Sequence, residues 1–130
     1  MRMLLTSNGR QNDVTQHAVT ELLGMPIAEA RIVVVIDAIL PFAGDKSTLI
    51  EHLTQIQSLG WAEFDVVSLL AAPRPIAEAR LRAADVVFGY GGSNLWLAHA
   101  WTSTGLASIL PELLDEKVYV GWSEIGRAHV

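Results

Sequence analysis

Short apolar runs alternate along this chain with segments of helical period. Residues 3–6 are mostly apolar and predict a short buried strand, closed by a turn at Ser7-Asn8-Gly9. Asp13 can cap a helix reaching Leu23, with Val14, Ala18, Leu22 and Leu23 on one face; Gly24 ends it and Pro26 prevents its resumption. Residues 31–36 are almost purely β-branched after the arginine, a strand signal. After the loop Pro41-Phe42-Ala43-Gly44, Asp45 or Ser47 is expected to cap a helix carrying Leu49, Ile50, Leu53 and Ile56 as an apolar stripe, with Gly60 as its stop. Residues 64–69 predict a third strand. Residues 73–83 predict a short helix with Ile76, Ala79 and Leu81 available to pack, and residues 85–89 a fourth strand. A helix over 94–104 ends at Gly105, a further short helix covers 106–114, and residues 117–121 form a fifth strand. Strands alternating with helices in this way predict an α/β fold built on a doubly wound, mostly parallel sheet.

Composition agrees with that architecture. Hydrophobic residues make up 51% of 130 positions, as a sheet buried on both faces requires. The net charge of −5 gives no reason to expect a nucleic-acid partner. There is no cysteine, so disulfides and thiolate metal sites are excluded. The longest apolar run, broken by Asp37, falls short of a membrane span, so no membrane partner is expected. The amino terminus reads as a strand rather than a signal peptide, which makes the cytoplasm the expected compartment. No cofactor is implied.

Three stretches can carry chemistry, and all fall where a parallel sheet binds ligands, beyond the carboxyl ends of its strands. Val118-Tyr119-Val120 runs into Gly121-Trp122-Ser123. A strand that turns at Gly-x-Ser can present a nucleophilic hydroxyl; it can equally leave a plain serine at a strand end. Gly91-Gly92 follows the fourth strand. Glycines there suit an oxyanion loop, because a backbone N–H approaches developing charge only where side chains stay clear. A plain turn and a phosphate-binding loop have the same signature. Ser93 or Asn94 is expected to cap the following helix, and Trp122 can wall a pocket beside the serine. Trp96 and Trp101 read as core or interface. His17, His52 and His99 fall in predicted helices rather than at strand ends, and no histidine has metal-ligand spacing with a carboxylate cluster, so no metal site is expected. Asp37, at the end of an apolar strand, is out of place in a core.

Taken in order, Leu4-Leu5-Thr6-Ser7-Asn8, Gly89-Tyr90-Gly91-Gly92-Ser93-Asn94-Leu95-Trp96-Leu97 and Tyr119-Val120-Gly121-Trp122-Ser123 resemble the S51 serine peptidases, the dipeptidase E and cyanophycinase group. Ser93-Asn94 stands where that family carries Asn-Thr, and Glu124-Ile125 where it carries Ala-Gly. The resemblance implies a flavodoxin-like, three-layered fold of the class I glutamine amidotransferase-like group. It implies a serine peptidase acting on small peptides, Asp-X dipeptides in particular. Ser123 would be the nucleophile; Gly91, Gly92, Ser93, Asn94 and Trp122 would form the oxyanion and substrate-binding surface, with a second oxyanion donor from the N–H of residue 124. The family's histidine and acidic partner follow the serine, where this chain offers only Glu124 and His129. The final residues, Glu124-Ile125-Gly126-Arg127-Ala128-His129-Val130, read as one frame of a sequencing-library adapter. Residues 1–123 are therefore expected to be the N-terminal part of a single, C-terminally truncated domain, inactive alone, and 124–130 a non-native tail. Bare sheet edges and helix faces predict poor solubility or homo-oligomerisation. Two other classes fit the pattern: a non-catalytic amidotransferase-like domain, and a flavodoxin-like module holding phosphate at Gly91-Gly92.

Overall fold

The computed structural model describes residues 2–7 and 13–123, with the backbone alone at 2, 4–7, 13–16, 122 and 123. Five strands form one sheet: β1 (Arg2–Ser7), β2 (Arg31–Val35), β3 (Glu63–Val67), β4 (Val86–Gly89) and β5 (Val118–Ser123). All neighbours are parallel and the order is β1-β5-β4-β2-β3. Between them run α1 (Asp13–Leu23), α2 (Ser47–Gln57), α3 (Arg74–Ala83), α4 (Asn94–Ser103) and α5 (Leu110–Glu116).

The β-branched run of β2 shows why the molecule has three layers. Side chains alternate across a strand. Ile32 and Val34 point into a core shared with Val19 and Leu23 of α1 and Leu49 and Ile56 of α2. Val33 and Val35 point the other way, against Ala77 and Leu81 of α3, Ala100 and Trp101 of α4 and Leu113 of α5. Both faces of β2 are thus dry, so neither can carry polar residues. β4 divides in the same manner, Val86 and Phe88 to one side and Val87 to the other.

Several local expectations change. Ile50, Ile76 and Ala79 are exposed; the packing faces of α2 and α3 turn on Leu49 with Ile56 and on Ala77 with Leu81. Neither Asp45 nor Ser47 caps α2. Lys46 occupies the cap position with no side-chain bond to the helix, its ammonium donating to the Phe42 and Gly44 carbonyls, while the Ser47 hydroxyl donates to the Asp45 carboxylate at 2.8 Å. Two 3₁₀ turns, Ile27–Glu29 and Asp37–Ile39, flank β2.

The sheet has a switch point between β2 and β4. The chain leaves β2 towards the α1–α2 face and leaves β4 towards the α3–α5 face. In open parallel sheets such a divergence opens a crevice beyond the strand ends. Here the 3₁₀ turn Asp37–Ile39 fills it.

Candidate functional site

Parallel register brings the expected site residues to one edge. Gly121 lies beside Gly89, the last residue of β4, and Ser123 beside Ser7, the last of β1, so β5 runs on to Ser123, two residues beyond the end of β4, on the strand adjacent to the loop that follows Gly89. Trp122 lies beside Thr6. Residue 124, and the Asn8-Gly9 half of the turn after β1, lie outside the described residues.

The glycine loop is held by backbone bonds to β2 and the turn after it. Tyr90 N–H donates to the Val35 carbonyl at 3.0 Å and Ser93 N–H to the Ala38 carbonyl at 2.8 Å. Between them Gly92 has φ +149°. A Cβ there would collide with the Ala38 carbonyl oxygen and lie 2.7 Å from the Ala38 carbonyl carbon and 3.0 Å from Ile39 N. Glycine is therefore required at 92 on two counts, conformation and space. Among the described residues, the N–H groups of Gly91 and Gly92 have no acceptor. A buried or half-buried donor without a partner is costly unless a ligand or water takes it.

Ser93 caps α4, its hydroxyl accepting the Trp96 N–H at 3.1 Å. Asn94 is the first residue of that helix and is exposed. It also borders an open, mainly apolar groove of about 310 Å³, with Met3, Leu97, Trp101 and Tyr119 among its lining residues. Trp101 is buried and Trp96 is more exposed, stacked against the His99 ring at 4.9 Å.

Tyr119 explains a second glycine. Its hydroxyl lies 2.6 Å from where a Cβ on Gly89 would stand, so the ring reaches over β4. Burial pushes the Tyr119 hydroxyl above the ordinary tyrosine pKa.

The three described histidines stand away from Ser123 in the chain and are engaged elsewhere. His17 pairs with Glu21 on α1 at 3.1 Å, His99 stacks on Trp96, and His52 Nδ1 lies 2.7 Å from the Tyr90 hydroxyl. Among the described residues no group of three or more histidine, aspartate or glutamate side chains is placed to hold a metal ion. None of their helices is long and apolar enough to cross a membrane.

Asp37 has its full context only in the fold. It is completely buried, and its carboxylate accepts Leu69 N–H at 2.8 Å, the Ser68 hydroxyl at 2.9 Å and Leu70 N–H at 3.2 Å. Its polarity inside an apolar run was the only signal in the sequence; its partners are more than 30 positions away.

The profile of Peptidase family S51 matches residues 3–124. No curated protein matches the chain in sequence. Among solved structures, the chain is similar to a "Putative Peptidase E Protein" from Listeria monocytogenes EGD-e, with a TM-score of 0.74 at 20% identity. The match covers 94% of this chain and 58% of that one, so the chain spans little more than half the length of this structural neighbour.

Proposed function

The chain belongs to peptidase family S51, and from that premise we propose that it supplies the nucleophile and the oxyanion loop of a serine peptidase that cleaves small peptides, Asp-X dipeptides foremost. One observation carries the reading. Parallel register lines up the Gly-x-Ser end of β5 with a glycine loop whose two N–H groups are unbonded among the described residues.

In the proposed reaction Ser123 Oγ attacks the scissile carbonyl carbon while its proton passes to a base. The carbonyl oxygen takes up the negative charge and is met by the Gly92 N–H and the N–H of residue 124. Collapse breaks the C–N bond, the base returns its proton to the leaving amine, and an ester to Ser123 remains. Water then attacks that ester, giving its proton to the base; the C–Oγ bond breaks, the base returns the proton to Ser123 Oγ, and the acid is released. Trp122 and the exposed first turn of α4 would border the substrate. The base and its acidic partner are proposed to be neither Glu124 nor His129, and the 130 residues by themselves to be inactive.

The test uses protein expressed from the complete source gene. A serine-directed fluorophosphonate should label Ser123, located by peptide mass mapping, and Ser123→Ala should abolish both labelling and Asp-X hydrolysis. A folded gene product that is neither labelled nor active would remove the peptidase reading.

A further inference from the structure

Asp37 belongs to no step of that reaction, yet it anchors the segment on which the glycine loop rests. We propose that Asp37 is a positioning residue for the oxyanion loop, acting through the 3₁₀ turn it begins; the inference rests on the peptidase reading.

The argument runs along bonds. A carboxylate taken fully out of water is expensive unless its oxygens are occupied. Asp37 meets that condition with three donors, all from residues 68–70, the turn that joins β3 to α3. Ser68 Oγ is itself held in that turn, accepting the Ala71 N–H at 3.2 Å. Charge-assisted bonds of this kind are stronger than neutral ones. They fasten one side of the turn Asp37–Ile39 to the neighbouring loop. The opposite side of the same turn presents the Ala38 carbonyl, which accepts the Ser93 N–H at 2.8 Å and closes the space beside Gly92. Ala38 is fully buried, so the turn has little room to shift without disturbing one contact or the other.

The consequence for chemistry is one of distance. An oxyanion donor works only when aimed at the place where charge develops, and loss of one donor lowers the rate by about 10²–10³-fold. A turn released from residues 68–70 no longer fixes where the Gly92 N–H points. Substrate binding, which depends on other surfaces, should be affected less.

The substitution Asp37→Asn keeps size and one acceptor but replaces the other oxygen with a donor facing the Leu70 N–H. Ser68→Ala removes a single donor and is the milder second variant, available if Asp37→Asn does not fold. Asp65→Asn, which breaks the pairing of β3 with Arg80 of α3 and leaves every Asp37 donor in place, controls for general loss of stability. In the full gene product, kcat for peptide hydrolysis and the rate of Ser123 labelling should fall about 10–100-fold in Asp37→Asn, with KM within about twofold, while Asp65→Asn keeps the wild-type kcat. Hydrogen exchange supplies a reading independent of activity. The Ser93 amide should exchange at least about tenfold faster in Asp37→Asn, and the Asp85 amide, bonded to the Arg31 carbonyl at 2.8 Å, should not change. Unaltered Ser93 exchange in folded variants would overturn the proposal. So would faster exchange together with unchanged labelling and kcat. If the wild-type protein is never labelled, the peptidase reading fails, and the exchange of Ser93 alone then decides whether Asp37 places the loop.

Discussion

Replacing Gly92 by alanine separates two penalties that are usually confounded. The first is conformational: φ of +149° is a region that L side chains rarely adopt, at a cost of about 1–3 kcal/mol. The second is steric. The added methyl would press on the Ala38 carbonyl, with Ile39 N 3.0 Å away, and these are backbone atoms of a buried turn that cannot rotate aside. Overpacking of this kind costs about 1–3 kcal/mol. Gly92→Ala should therefore lose about 2–6 kcal/mol. For a chain of this size that lowers Tm by roughly 8–24 °C. Gly44 provides the comparison. It also has positive φ, +108°, but a Cβ there meets nothing within 4 Å, so Gly44→Ala incurs the conformational penalty alone. Urea unfolding of wild type, Gly92→Ala and Gly44→Ala, with slopes checked for equality, measures the difference directly. If the two variants lose the same stability within about 0.5 kcal/mol, the Ala38 contact contributes nothing and the account of the loop's support is wrong.

Three further outcomes are expected. Ser93→Ala removes the α4 cap and should cost about 1 kcal/mol, read from the same urea curves, with helical circular dichroism otherwise preserved. Asp65 is held below the usual carboxylate range by its hydrogen bonds and charge pairing with Arg80, offset in part by burial. A depressed folded pKa adds stability above the unfolded value, about 3.9, and that stability is lost as pH falls through the folded value. The Tm gap between wild type and Asp65→Asn should thus be full at neutral pH, small because the arginine is partly solvated, at most about 1 kcal/mol, and closed in acid; a gap that persists in acid would refute the pairing. Tyr119, raised by burial, works in the opposite sense: stability holds below about pH 10 and falls as pH rises through the higher folded value. Tyrosinate absorbance should show a late-titrating group that Tyr119→Phe removes.

Much of this arrangement can be read from local sequence, and the limits are instructive. β2 is legible because five residues in succession favour a pleated, dry environment, and α4 because Ser93 and Gly105 bound it. Gly91-Gly92 and Gly121-Trp122-Ser123 stand out because glycines directly follow an apolar run, a signature that a plain turn shares, so their place is legible and their role is not. The order of strands is not legible, since nothing in β5 states that it lies between β1 and β4. The role of Asp37 is equally hidden. Its carboxylate is explained by residues 68–70, of which 68 and 69 read in the sequence as the end of the third strand, whereas β3 stops at Val67 and the Ser68, Leu69 and Leu70 donors turn to Asp37. The missed cap of α2 is a smaller case of the same kind: two good capping residues bonded each other. Ile50 and Ile76 match helical periodicity yet face solvent, because periodicity gives the spacing of a stripe but not its width.

The position of β5 between β1 and β4 has a consequence for the order of events on the ribosome. β2, β3 and β4 are contiguous in the sheet and can pair as they emerge. Among the described strands β1 bonds to β5 alone, and β5 follows it by about 110 residues. Closing a loop of that length costs about 4 kcal/mol beyond a constant. At ordinary synthesis rates β1 waits roughly 6–20 s for its neighbour. Among the described strands the first made is thus the last to be ordered, and it is fixed by the strand that ends in Ser123. Sheet closure and presentation of the serine become a single step that waits for β5, so a nascent chain carries no assembled site until that strand has emerged.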